Sequence, residues 1–343
     1  METYRRQCSA KVVKWRNFVT RNPIHDARLG YLIAAASACV WASTSPGIAF
    51  LLGRGVPSLT IALWRDVIIA AFMFVVLALA RPSLLRVERR EWRGLAFAGA
   101  VAIGLYHALW VWSVMLNGVA IAVVLIYLYP AFVTLGAWLL FKERITTLQI
   151  AALALAICGC ALVVRAYDPD VLRLSLPGLV VGLLTAITHT VYVLFNQHRM
   201  QRGDQANRLH PFTSLTYTMA FGAAVLLPLT WLIAPAELPP PGEPTTALAL
   251  IALALGPTLG GYGLFTLSLR YAPARIASLI VVMEVPIATL IAVAFLGERL
   301  TWPQVVGMIC VLTAAVLPGA HAELSAQRGW TKAAPSPTQG SAR

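Results

Sequence analysis

Ionisable side chains are scarce in this chain. Only 12% of its 343 residues are Asp, Glu, Lys or Arg, about half the share found in an average soluble domain, which excludes an ordinary water-soluble fold. Cysteine is also sparse. There are five, with no CxxC and no cluster outside the apolar runs, so neither a disulfide framework nor a thiolate metal site is expected. Cys39, Cys158, Cys160 and Cys310 lie inside apolar runs and read as small packing residues. No GxxxxGK[ST] loop is present to hold a nucleotide, which excludes ATP-driven work by this chain alone. No HExxH pair, no nucleophile beside a base and no acid cluster occurs, so no catalytic residue, metal or cofactor is expected. The N-terminal region does not show the order of regions that marks a cleaved leader.

Apolar residues, by contrast, make up 59% of the chain, and runs of about 20 recur almost end to end, the length that crosses a bilayer as a helix. Breaks at Pro, Gly and charge predict ten spans: Tyr31–Leu52, Ser58–Ala80, Gly94–Met115, Ala120–Phe141, Leu148–Val164, Gly178–Gln197, Phe212–Ile233, Ala247–Leu269, Ile276–Leu296 and Val305–Leu317. Backbone polar groups cannot be left bare in lipid, so these spans must be helical. The fold class is therefore an all-α integral membrane protein.

The net charge of +13 would suggest nucleic acid if its sources formed one patch. They alternate instead. With the N-terminus inside, 22 of the 27 Lys and Arg residues fall in cytoplasmic segments and 4 outside, and Arg65 lies within a span. The positive-inside rule then places both termini in the cytoplasm of a multi-pass inner-membrane protein, with the bilayer rather than nucleic acid as its large partner.

Sliding the chain over itself by 155 residues exposes an internal repeat. Glu143-Arg144 meets Glu298-Arg299, Thr146 meets Thr301, and Gln149 meets Gln304. Five spans separate the copies, and five is odd, so the second half is expected to cross the bilayer upside down. The expected organisation is a basic arm (1–28), a first five-helix repeat (29–166), an inverted second repeat (167–320) and a disordered cytoplasmic tail (321–343). Two inverted halves with a substrate site near the midplane is the architecture of secondary transporters. Each Glu-Arg pair reads as a turn and interfacial anchor rather than an ionic gate, because neighbours in sequence do not face each other on a helix. The arm segment AKVVKWRNFVTR reads as a short amphipathic helix on the acidic inner leaflet.

At this point three stretches resemble a known family: PAFVTLGAWLLFKERIT (Pro130–Thr146), LRYAPARIASLIVVMEVPIATLIAVAFLGERLTWPQVVG (Leu269–Gly307) and ALWRDVIIAAFMF (Ala62–Phe74). Together they are similar to the EamA-type ten-helix exporters of the drug/metabolite transporter superfamily. The resemblance implies a carrier that exports small metabolites, amino acids or amine-like compounds. Other possibilities are a membrane enzyme and a sugar or nucleotide-sugar carrier. The family's second half usually reads Glu-Pro, whereas Val285 separates Glu284 from Pro286 here.

Ionisable groups inside a span are costly and usually face a protein or water-lined interior. Glu284 lies about 12 Å into its span at 1.5 Å per residue, near the midplane. It is the expected binding and proton-coupling carboxylate, and Pro286 is expected to loosen the helix beside it. Under the 155-residue shift Tyr129 overlays Glu284, His107 overlays Tyr262 and Trp110 overlays Phe265; a shift of 148 lays Gly30 on Gly178 and Trp41 on His189. Helical spacing aligns Tyr106 with Trp110, and His189 with Tyr192. The expected substrate-binding set is thus Trp41, Tyr106, His107, Trp110, Tyr129, His189, Tyr192, Tyr262 and Glu284, enclosing a small organic molecule with protons as the coupling ion, in a monomer or homodimer. Arg65 and Asp66 point about 100° apart and are each expected to meet a different helix. LGPTLGGYG (Leu255–Gly263), with four glycines and Pro257, permits close approach, a kink, or both, and its mate GAVAIGLYHA (Gly99–Ala108) reads as less broken.

Overall fold

The computed structural model describes residues 23–170, 175–202, 209–296 and 299–333, and all its regular structure there is helical. The arm segment AKVVKWRNFVTR (residues 10–21) and the pair Gly297-Glu298 lie outside the described residues. We number the helices α1 (Pro23–Trp41), α2 (Thr44–Gly53), α3 (Ser58–Ala80), α4 (Arg89–Gly99), α5 (Tyr106–Ile126), α6 (Tyr129–Phe141), α7 (Thr147–Val163) and α8 (Leu176–Gln197). There follow α9 (Pro211–Ile233), α10 (Pro244–Leu253), α11 (Leu259–Ser268), α12 (Ala274–Val281), α13 (Glu284–Leu296) and α14 (Trp302–Ala333). Among the described residues, eight helical stretches are long and apolar enough to cross a membrane, and α6 and α7 are shorter apolar helices. Leu79 and Phe295 are each 83% exposed on outer faces, an arrangement that suits lipid rather than water. Cys160 is buried, but Cys39 and Cys158 are exposed and do not pack in the core.

The major helix contacts run between the two copies. Helix α1 packs on α11 and α12, α8 packs on α5 and α6, α3 on α9, and α7 on α14. Close approach depends on glycine. A Cβ on Gly30 would lie 2.7 Å from the Cβ of Ala272, and one on Gly178 would lie 2.1 Å from Oδ1 of Asn117. Gly30 and Gly178 are mates under the 148-residue shift, and Asn117 and Ala272 under the 155-residue shift, so both copies use one packing device.

The helix breaks recur as well. A turn at Tyr127-Leu128 separates α5 from α6, and one at Val282-Met283 separates α12 from α13, 155 residues on. Prolines set both. Pro130 is the second residue of α6 and Pro286 the third of α13, so their missing N–H groups fall among those that a helix start leaves unpaired. Glu284 is therefore not mid-helix, as expected from sequence, but the first residue of a half-helix.

The unequal breakage expected of LGPTLGGYG and its mate does not occur, for wide helical turns replace α-helix at both Ala100–Leu105 and Ala254–Thr258. Gly99 and Gly104 draw the first of these against α9, where their added Cβ atoms would come within 2.6 Å of the Thr218 carbonyl and 2.8 Å of the Gly222 carbonyl. Gly118, at φ +76°, divides the long stretch ending at Ile126. Helix α14 continues to Ala333, well into the stretch expected to be a disordered tail.

Capping follows the repeat too. The Thr146 hydroxyl accepts from the Gln149 amide and Gln149 Oε1 accepts from the Thr146 amide at 3.1 Å; the Thr301 amide donates to Gln304 Oε1 at 3.0 Å. Thr146→Ala is expected to cost about 1 kcal/mol by unpairing the start of α7, read as a lower midpoint in thermal unfolding of the detergent-solubilised protein. Glu243 caps α10 beside Arg54, 3.6 Å away. Hydrogen bonds from the Thr245 and Thr246 hydroxyls hold its carboxyl below the usual carboxylate range. This link is therefore intact above the ordinary carboxylate pKa and is lost only as pH falls through the lowered value.

Candidate functional site: a cavity between the two copies

A cavity of about 670 Å³ enters the bundle from one end and reaches its centre. Gly118–Ala120, Arg165, Asp170 and Gln304 form its mouth. Of the nine residues expected from sequence, eight line it: Trp41 from α1, Tyr106, His107 and Trp110 from α5, Tyr129 from α6, His189 from α8, Tyr262 from α11 and Glu284 from α13. Both copies thus supply wall. The ninth, Tyr192, is fully buried behind that wall, because its hydroxyl bonds to Thr266 and its ring packs edge-on against Tyr262.

The rings hold one another in place. Trp41 meets Tyr262 edge-on at 4.9 Å and Phe265 at 5.5 Å. His189 lies edge-on to Tyr129 at 4.6 Å and tilted to Tyr106 at 4.9 Å. A Cβ on Gly261 would fall 2.3 Å from the Trp41 indole, so only glycine lets this ring reach the cavity. The Tyr129 hydroxyl donates to the Ser278 carbonyl at 3.1 Å, tying the start of α6 to α12. Such offset and edge-on aromatic contacts leave ring faces and edges available to a guest.

Glu284, at the start of α13, shares the cavity wall with Tyr127, which stands at the matching break in the other copy. Tyr127 lines the cavity and was not among the residues singled out from sequence. Its signal was available: it stands two residues before Tyr129, at the point where the proline in YLYP opens the helix.

Arg65 and Asp66 diverge as their adjacency on α3 dictates, yet they do not meet different helices. Both reach one side chain on α5. Arg65 Nη2 lies 2.8 Å from His107 Nε2, and Asp66 Oδ2 lies 2.9 Å from His107 Nδ1. The imidazole has nitrogens on opposite edges and spans the divergence.

The far end of the bundle is sealed by polar contacts. Gln197 Nε2 donates to Glu143 Oε1 at 3.0 Å, Arg275 Nε lies 3.5 Å from Glu143 Oε2, and Arg275 Nη1 donates to the Arg144 carbonyl at 2.8 Å. Gln201 Nε2 donates to the carbonyls of Leu269 and Ala272, each at 2.6 Å, and Arg199 pairs with Glu91. Helix α8 runs from the mouth, where the Ser175 hydroxyl meets the Leu116 carbonyl, to this seal. Its 22 residues span about 33 Å. Glu143 is thus an ionic tie between the copies and not merely the turn and anchor expected of it; its partner is Arg275, 132 residues away, rather than the adjacent Arg144.

Known proteins are similar to this chain in sequence and in fold. An uncharacterized transporter of Archaeoglobus fulgidus is 24% identical over 250 residues, 73% of this chain and 81% of that one. A probable terminal-alkyne amino-acid exporter of Streptantibioticus cattleyicolor is 29% identical over 265 residues, 75% of this chain and 82% of that one. A solved crystal structure superposes with a TM-score of 0.72 at 17% identity, covering 88% of this chain and 99% of the other, which establishes a shared fold. The EamA-like transporter family model matches residues 28–165 and again 176–318, one match for each copy whose helices wall the cavity. This multi-pass membrane protein belongs to the EamA-like transporter family.

Proposed function

We propose that the chain is a secondary transporter that exports a small organic molecule, an amino acid or amine, across the inner membrane by alternating access. Ten crossings form two five-helix halves of opposite orientation, with both termini in the cytoplasm and the cavity mouth outside. One observation carries this: a central cavity walled by equivalent residues of both copies is open at one end and sealed at the other. Exchange of seal and mouth between the two ends would expose the same site to each side in turn. Matching helix breaks, matching glycine contacts and the excess of Lys and Arg at the sealed end support the inverted arrangement. The name of the Streptantibioticus relative supports the substrate class.

Glu284 is the coupling group. It alternates between a proton and the substrate, with Tyr127 beside it in the cavity wall. The test is uptake into vesicles of purified protein across a panel of amino acids and amines, with and without a pH gradient. The native chain accumulates a substrate when the gradient is present. Glu284→Gln, which keeps the shape but cannot ionise, reduces gradient-driven accumulation to the level of protein-free vesicles while leaving slow equilibration. Unchanged, gradient-dependent transport in this variant would remove the coupling role, and no uptake of any compound by the native chain would remove the transporter reading for this panel.

A further inference from the structure

We infer that Arg65 is a specificity-determining anion subsite, which pairs with a carboxylate of the transported molecule; this rests on the cavity being the transport site. The inference starts from an oddity of pairing. Arg65 and Asp66 are adjacent and opposite in charge, and in lipid the simplest arrangement is for them to neutralise each other directly. Instead the His107 ring stands between them.

The hydrogen bonds fix what that ring does. A guanidinium has only donors, so His107 Nε2 must present its lone pair to Arg65; the proton then sits on Nδ1 and is donated to Asp66. The imidazole in this arrangement is neutral. Asp66, fully buried, is used to fix the tautomer and lies a ring's width from the guanidinium. Arg65 therefore has a neutral acceptor on one nitrogen, no carboxylate in contact among the described residues, and no partner for Nε. Yet it is only 8% exposed, about 10 Å into α3, and its exposed part lines the cavity.

A buried guanidinium without a contacting anion is costly to keep inside a membrane. A structural tie between α3 and α5 would not need it, since a neutral donor could serve His107 equally well. What a guanidinium adds is a planar fork of donors matched to a carboxylate. The Asp66–His107 pair aims that fork. Arg65, Tyr106 and Glu284 line the same cavity, so the two charged subsites share an aromatic wall.

Trp41 and Trp110 line the cavity, so tryptophan fluorescence of the full chain in detergent reports occupancy. Three probes with the same ring separate the groups: 3-phenylpropionate, its methyl ester and 2-phenylethylamine. The native chain binds the acid about tenfold or more tightly than the ester, the scale of one charge-assisted contact. Arg65→Gln abolishes that ratio and leaves the amine unaffected, while Arg65→Lys restores part of it. Equal binding of acid and ester by the native chain, or no binding of either, overturns the inference even if the variants fail to fold. An equal loss for all three probes in Arg65→Gln overturns it too. If amines alone are bound and moved across vesicles, the subsite fails and the transporter reading stands. If acids bind through Arg65 but are not moved, the reverse holds.

Discussion

Valine at position 159 or 307 is expected to leave little folded protein. Gly159 and Gly307 face each other where α7 crosses α14. A Cβ on Gly159 would lie 2.8 Å from the Gly307 carbonyl, and one on Gly307 2.7 Å from the Gly159 carbonyl. The obstacle in each case is backbone, which cannot rotate aside, so the helices must separate. Overpacking a tight contact costs about 1–3 kcal/mol when side chains can adjust, and a rigid neighbour puts these variants at or beyond the top of that range. Loss on that scale is a large part of the roughly 5–15 kcal/mol that holds a typical domain. In lipid, moreover, helix association relies on such packing rather than on a hydrophobic driving force. Size-exclusion profiles of detergent extracts will measure it: alanine intermediate, valine lost to aggregate. Gly256, with nothing within 4 Å of an added Cβ, should tolerate alanine with the native profile. A native profile for Gly159→Val would show that the two helices do not depend on this contact.

The second large effect concerns the seal. Glu143→Gln and Arg275→Ala should each open the closed end. Hydrogen bonds to charged groups contribute about 1.5–3 kcal/mol, and removing one from a conformational balance shifts it about 10- to 100-fold. Single cysteines at Ala272 and Ala120, in a background without the native five, would report the two ends. In either variant maleimide labelling at 272 rises and labelling at 120 falls. Glu143→Arg combined with Arg275→Glu should return both rates toward native values, and the double removal should cost less than the two single removals added. If labelling does not change in any variant, the ionic tie has no part in holding that end shut.

Much of the frame was legible in the chain because the repeat is written in residues with local effects. Pro130 and Pro286 break helices wherever they fall, the Thr-x-x-Gln caps act over three residues, and Gly30 and Gly178 mark close approach. Lining positions were legible for a related reason: polar or polar-tipped side chains at mated depths, such as Tyr129 and Glu284, have nowhere to go but an interior.

What could not be read were contacts between elements far apart in sequence. Spacing gave the divergence of Arg65 and Asp66 correctly, but nothing local revealed that a ring 41 residues on would bridge them. The rule that neighbours do not face each other properly dismissed Arg144 as Glu143's partner and was silent about Arg275. Tyr192 shared the helical spacing of His189, yet Thr266 draws its hydroxyl away from the cavity. The wide turn at Ala100–Leu105 carries no proline; it comes from glycines pressed onto α9, a packing effect that a window of sequence does not contain.

The tie between Glu143 and Arg275 has no counterpart written at the opposite end. The position equivalent to Arg275 is Ala120, and the position equivalent to Gln197 is Ala49. Two halves that are otherwise near copies are thus unequal in how firmly each end can shut. In the alternating cycle proposed above, an unloaded molecule will therefore rest with its vestibule facing one compartment. In that cycle, cargo arriving from the locked side must supply the free energy to part Glu143 from Arg275 and Glu91 from Arg199.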